Sequence, residues 1–359
     1  MTPSRSLRLG VVALLAGALA APLPATFASA TEAPAPDISS SSGLVAETGT
    51  FAPGVTRIGG ADRYDVSAAT STNTFPNPGV KVAYVVSGEV FADALSASAL
   101  AGGLGGPVLL TRKSELPGSV STELDRLKPK AIVVLGGENS VSSSVYEKLA
   151  DYTPVISRIG GADRYEVSAA ASAAAFYSPL PTYSVPVAYV ASGESFPDAL
   201  SGSASAAHLG GPVLLTRKGE IPPSVKAELM RLRPKRIVVL GGAGTIDDAV
   251  ITTLREIQPA AFRLAGNNRY ETSVFVSQGF DPGVDTVVVA SGAVYPDALS
   301  GGPTAIAGSG PVVLVDPAGI SPAVHTELTR LAPKRIVVLG GPNTVPQSVV
   351  DALSAYIRP

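Results

Sequence analysis

Arg57-Ile58-Gly59-Gly60-Ala61-Asp62-Arg63-Tyr64 returns unchanged as Arg158 to Tyr165, and more loosely as Arg263-Leu264-Ala265-Gly266-Asn267-Asn268-Arg269-Tyr270. The spacings are 101 and 105 residues. A second block, Ser87-Gly88-Glu89-Val90-Phe91-Ala92-Asp93-Ala94-Leu95-Ser96, recurs at Ser192 to Ser201 and Ser291 to Ser300. A third, Ile132-Val133-Val134-Leu135-Gly136-Gly137, recurs at Ile237 to Gly242 and Ile336 to Gly341. Blocks in constant order mark a triplicated unit, and about 100 residues per copy suffice for a core of its own. The expected copies are 51–153, 154–258 and 259–359, tandem domains rather than thin solenoid repeats. Short junctions at Tyr152-Thr153-Pro154 and Ile257-Gln258-Pro259 leave no flexible span, which predicts one compact body.

Within a copy, apolar runs at Val82–Val86, Val108–Leu110 and Ile132–Leu135 lack polar alternation, as expected of parallel strands covered on both faces. Tyr64, Ala68, Ser71 and Phe75 fall at helical spacing, as do Val120, Leu124 and Leu127 after Pro117. The fold class is therefore α/β, with helices on both sides of an open parallel sheet in each copy. Such sheets meet ligands at the carboxyl ends of their strands, where the recurring polar residues collect.

Residues 1–30 read as an export signal: Arg5 and Arg8, an apolar run from Leu9 to Ala21, and Ala28-Ser29-Ala30 as a small-x-small cleavage site. That run is too short to span a bilayer, so no membrane span is expected after its removal. Residues 31–50, with Ala-Pro-Ala-Pro and four consecutive Ser, read as a disordered linker. The near balance of 27 Lys and Arg against 29 Asp and Glu argues against a nucleic-acid partner. With no Cys and only His208 and His325, thiolate, zinc and triad chemistries have almost nothing to work with, so no metal or cofactor is expected.

The recurring cations are the candidate ligand-binding residues. Arg63, Arg164 and Arg269 stand beside a Tyr in every copy, and Arg57, Arg158 and Arg263 precede them by six positions. An Arg fork suits phosphate or carboxylate on a polymer, while pairing with the adjacent Asp62 or Asp163 is the structural alternative. Arg112-Lys113 and Arg217-Lys218 follow a strand at the same rim, where the third copy has Asp316. Gly136-Gly137 and Gly241-Gly242 lie between strand and helix and serve either an anion or a tight turn. No phosphate-loop pattern accompanies them. Glu89 with Asp93 and Glu194 with Asp198 read as helix-start carboxylates rather than an acid-base pair, since Ala293 replaces the Glu in the third copy.

The blocks R-I-G-G-A-D-R-Y, S-G-x-x-F-x-D-A-L-S, G-P-V-L-L-T and P-K-x-I-V-V-L-G-G resemble the signature of the cell wall binding repeat 2 family, over essentially all of Phe51 to Pro359. The resemblance implies three Rossmann-like or Toprim-like domains packed with pseudo-threefold symmetry. It also implies non-covalent, non-enzymatic anchoring of an exported Gram-positive surface protein to an anionic glycopolymer of the wall. The family associates Val108-Leu109-Leu110 and Val213-Leu214-Leu215 with polymer retention; as strand residues they read first as core. The family usually joins its triple repeat to a separate functional domain, for which this sequence shows no residues, so the expectation is either that the wall-binding unit is the whole protein or that its activity lies in trans, in a separate wall enzyme partner. The alternative reading is an enzyme or modifier acting with a peptidoglycan hydrolase.

Overall fold

The computed structural model describes residues 51–177 and 183–358. The expected signal and linker lie outside the described residues. The first copy runs β1 (Gly54–Ile58), α1 (Arg63–Thr74), β2 (Val82–Ser87), α2 (Phe91–Leu104), β3 (Val108–Thr111), α3 (Gly118–Leu127), β4 (Ala131–Leu135) and α4 (Ser143–Leu149). The second repeats it as β5 (Ile156–Ile159), α5 (Arg164–Ala175), β6 (Ala188–Ser192), α6 (Pro197–His208), β7 (Val213–Thr216), α7 (Pro223–Leu232), β8 (Ile237–Leu240) and α8 (Asp248–Ile257). The third comprises β9 (Ala261–Leu264), α9 (Arg269–Ser277), β10 (Thr286–Ser291), a 3-10 turn at Pro296–Ser300, α10 (Gly301–Ala307), β11 (Val312–Val315), α11 (Pro322–Leu331), β12 (Arg335–Leu339) and α12 (Gln347–Leu353).

Local sequence explains these elements. All six residues of β2 are buried, as the unbroken apolar run requires for a strand covered on both faces. Helix α1 starts at Asp62, whose carboxylate accepts from the amides of Tyr64 and Asp65; Asp163 and Asn268 cap α5 and α9 in the same way. Helices α3, α7 and α11 end in left-handed residues, Lys128, Arg233 and Ala332, each followed by a Pro that cannot continue the helix. On α3, Glu123 is buried and doubly bonded to Arg126, whose guanidinium also caps the end of α1 through the carbonyls of Phe75 and Pro76. The same pair recurs as Glu228 with Arg231 and Glu327 with Arg330.

The sheets are not confined to sequence copies. The described residues form three four-stranded parallel sheets, ordered β3-β2-β4-β5, β7-β6-β8-β9 and β11-β10-β12-β1. Each copy's first strand completes the sheet of the copy before it, and β1 closes the ring on β12 with Ile58 opposite Leu339. The chain crosses from one sheet to the next within R-I-G-G-A-D-R-Y: β1 lies beside β12, whereas α1 packs on β3 and α3. The expectation of a sheet built wholly within each copy is corrected accordingly. Periodicity specifies a strand but not the neighbour it pairs with, and a triplicated chain offers every first strand an equivalent edge.

Arg57 locks the crossing. Its guanidinium donates to the carbonyl of Gly340 at 2.7 Å and of Val345 at 2.8 Å, both in the loop after β12. Arg158 holds Gly136 and Val141 at 2.8 and 2.9 Å, and Arg263 holds Gly241 and Ile246 at 2.5 and 2.7 Å. Hydrogen bonds to a charged group contribute about 1.5–3 kcal/mol. Arg57→Ala and Arg158→Ala are each expected to lower unfolding stability by about 2 kcal/mol in urea titrations. A loss below about 0.5 kcal/mol in both would show that these contacts do not hold the exchanged strands.

Candidate functional site

In each sheet the chain moves outward in opposite directions from one central pair, β2 and β4 in the first sheet and β6 and β8 in the second. Open α/β sheets bind ligands at such a switch point, beyond the carboxyl ends of the strands. Here the crevice floor carries an aspartate. Asp93 is 4% exposed and turns from the first turn of α2 toward the loop after β4, where Ser140 hydrogen-bonds it. Gly136 in that loop has φ 105°, and a side-chain carbon there would stand 2.6 Å from an Asp93 carboxylate oxygen. Only glycine therefore fits. In the third sheet Thr344 donates to Asp297 at 2.8 Å. Asp93 thus stands in the first turn of α2, as read from the sequence, and also fastens a loop, while the N-cap position is Val90, with no side-chain hydrogen bond. Burial pushes the Asp93 carboxyl above its ordinary range, against the opposing pull of Ser140 and Arg164.

The three switch points converge on one axis. Phe91, Phe196 and Tyr295, each at the start of the helix or 3-10 turn that follows its sheet's first central strand, meet with ring centroids 5.2–6.3 Å apart in edge-on and tilted contacts. Around them stand the three recurring arginines, each over the ring of another copy. Arg63 lies 5.9 Å from the Tyr295 centroid, Arg164 5.6 Å from Phe91 and Arg269 5.7 Å from Phe196. One amino group of each is held by a loop carbonyl: Gly88 for Arg63, Gly193 for Arg164, and Gly292 for Arg269 at 2.6 Å. These arginines are not locked to their neighbouring acids, since Asp62 and Asp163 cap helices. The carbonyl and the ring hold each guanidinium, and among the described residues its other N–H groups have no hydrogen-bond partner.

The second set of cations lies further out. Arg112 sits 4.5 Å from the centroid of the Tyr64 ring and 3.4 Å from Asp62; Arg217 sits 5.0 Å from Tyr165 and 3.5 Å from Asp163. Both side chains remain about two-fifths exposed, at 44% and 41%, where such ion pairs are weak enough to exchange for a ligand. Lys113 and Lys218 are exposed beside them. In the third copy Asp316 takes the arginine's position and hydrogen-bonds Tyr270. Arg57, Arg158 and Arg263 face backbone carbonyls behind the rim. The structure therefore gathers Arg63, Arg164 and Arg269 at one point, spreads the Arg112 and Arg217 pairs around it, and draws the Arg57 set inward. The aromatic cluster was not read from the sequence, although Phe91, Phe196 and Tyr295 share one position of the second block. His208 stacks on Phe280, and His325 bonds Tyr356, both packing contacts. Among the described residues no His, Cys, Asp and Glu cluster suits a metal ion, and no helix is long and apolar enough to cross a membrane.

The family model for cell wall binding domain 2 matches residues 57–146, 158–251 and 263–350. The chain belongs to the cell wall binding domain 2 family. Its three repeats are binding domains rather than catalytic ones, and association with the cell wall follows from that membership. The chain is 27% identical over 299 residues to the N-acetylmuramoyl-L-alanine amidase LytC of Bacillus subtilis, a match spanning 83% of this chain and 58% of that protein. It is 29% identical over 274 residues to the amidase enhancer of the same organism, spanning 76% of this chain and 36% of the relative. Cwp6 from Clostridium difficile superposes with a TM-score of 0.77 over 86% of this chain and 48% of its own, at 24% identity, which establishes the shared fold of three parallel-sheet units. The chain thus spans about half the length of the relatives it matches.

The buried aspartate of the family's second block makes a pH prediction. A carboxyl whose folded pKa is raised holds its proton more tightly in the folded state, so its contribution to stability falls as pH rises from the ordinary value of 3.8 through the raised one. Asp93→Asn removes that term. The stability of the variant relative to wild type should climb across this window and level off above it, as read from melting midpoints at a series of pH values. A pH-independent difference would show that Asp93 titrates normally.

Proposed function

We propose that this chain binds the bacterial cell wall by capturing an anionic glycopolymer across the axis where its three units meet. The observation that carries this reading is the ring of Arg63, Arg164 and Arg269 around the Phe91, Phe196 and Tyr295 cluster. Aromatic rings offer an apolar platform to the C–H face of a sugar, and preset guanidinium groups bind phosphate or carboxylate through paired N–H donors. Arg112 with Lys113 and Arg217 with Lys218 extend the positive rim outward along two of the three units, whereas Asp316 opposes an anion on the third. Several linked contacts on one polymer raise affinity by effective concentration without any strong single site. Residues 1–30 serve as an export signal in this reading, placing the protein outside the cell at the wall.

The test is retention on purified walls, with and without their anionic secondary polymer, in low and high salt. Wild type should bind intact walls, lose most binding when that polymer is removed, and weaken with salt because the contacts are screened. Arg63→Gln, Arg164→Gln and Arg269→Gln together should reduce retention at least tenfold. The triple Lys variant should fall between, since it keeps charge but loses the planar fork. Thermal melting of each variant separates lost binding from lost fold. Equal retention by the folded Gln variant would sink the axial site.

A second reading follows from the relatives called an amidase and an amidase enhancer: this chain acts beside a separate wall hydrolase. Addition of the chain to walls digested by a purified amidase should then change the digestion rate, and no change at saturating protein would count against a partner enzyme.

A further inference from the structure

The three switch points differ in sequence, and a cleft lies at the second. It lies between the second sheet and α9, encloses about 260 Å³, and is lined by Ser195 and Asp198, by Gly242, Gly244 and Thr245, and by the turn from Gly266 to Arg269. Asp198 is 7% exposed, yet among the described residues its carboxylate receives no hydrogen bond, whereas Asp93 has Ser140 and Asp297 has Thr344. A buried carboxylate without a partner costs stability unless something supplies a donor. The Arg269 guanidinium acts on it electrostatically, and among the described residues that guanidinium donates to the Gly292 carbonyl alone.

Substitutions around this cleft remove bulk and negative charge. Where the first sheet carries Glu138, Asn139 and Asp163 and the third Pro342, Asn343 and Asp62, the second carries Ala243, Gly244 and Asn268. Two side chains are trimmed from the loop after β8, and the acid that caps α1 and α5 becomes a neutral amide. Asn268 still caps α9 through its carbonyl oxygen, so the helix start is preserved while the carboxylate is gone. The loss of this acid in the third copy is therefore a gain for an anion.

We infer that this cleft is the subsite for one sugar unit of the polymer, bearing both a free hydroxyl and an anionic group. The hydroxyl donates to Asp198, and the phosphate or carboxylate meets the free N–H groups of Arg269. Because Arg269 also stands over Phe196, the cleft is continuous with the axial platform, so a chain crossing the axis enters it without a gap. This inference rests on the polymer-binding reading and adds where the best-held unit sits and what it must carry.

The experiment uses the full chain with two probes, glucuronate and glucose 6-phosphate, which separate carboxylate from phosphate recognition, and neutral glucose as control. Saturation-transfer NMR should show at least one charged probe bound and glucose bound at least fivefold more weakly. Asp198→Asn should weaken the charged probe severalfold. The decisive variant, Ala243→Glu with Asn268→Asp, installs the residues of the first copy, which already fold at these positions. It should abolish probe binding and lower wall retention at least threefold. If no charged probe binds wild type, or the decisive variant binds probe and wall as wild type does, the subsite is overturned. Wall retention by wild type alongside either result leaves the polymer reading standing; probe binding without wall retention overturns that reading and leaves the cleft.

Discussion

Close approach of α2, α6 and α10 is the constraint on which the rest of the molecule depends. The three helices meet one another around the axis, and small residues, Ala, Ser and Gly, predominate on them, so that their backbones approach closely. Ser98 donates to the carbonyl of Leu299 at 2.6 Å, and a side chain at Gly302 would collide with Ser98. Gly102 similarly makes room for Ile306. Short side chains give up apolar area, but they let helices pack through backbone contact and through serine hydroxyls that bond across copies. Because these helices begin at the rim, their convergence brings Phe91, Phe196 and Tyr295 to one point and sets each arginine over a ring from another copy.

Most of the fold was legible in the sequence for a simple reason: triplication supplies three independent readings of each element. The runs at Val82, Val108 and Ile132 became strands, and the spacing from Tyr64 to Phe75 became α1. What escaped was pairing between copies. Nothing in R-I-G-G-A-D-R-Y states that its strand and its helix serve different sheets, since both halves have the same local pattern in either arrangement. The buried Glu123 with Arg126 escaped for a related cause. A charged pair three residues apart on a helix normally lies at the surface, and only the packing of α1 over α3 shows that it is internal.

The candidate site was legible as a list of cations but not as a geometry. Charge and recurrence singled out ten Lys and Arg positions without distinguishing their partners. Arg57 and Arg63 look alike in sequence, six residues apart in one block. One faces the carbonyls of a loop behind the rim, and the other lies over an aromatic ring contributed from across the axis. That division depends on the tertiary neighbours of each. The neutral Asn268, where the other copies carry Asp62 and Asp163, also takes on a different meaning when it is seen to line a cleft belonging to the second sheet.

Exchange of the first strand has a topological consequence. Gly54 bonds the carbonyl of Lys334 and Arg358 bonds the carbonyl of Pro333, so both ends of the described chain emerge side by side at the entry of β12. A ring closed in this way has no preferred starting point. A circular permutant that joins these ends and opens the chain between two other copies would retain every strand pair. The junction also lies at the amino ends of the strands, opposite the rim of arginines. Under the proposed mode of binding, a segment leaving Gly54 or Arg358 would start on the face of the molecule opposite the arginine rim.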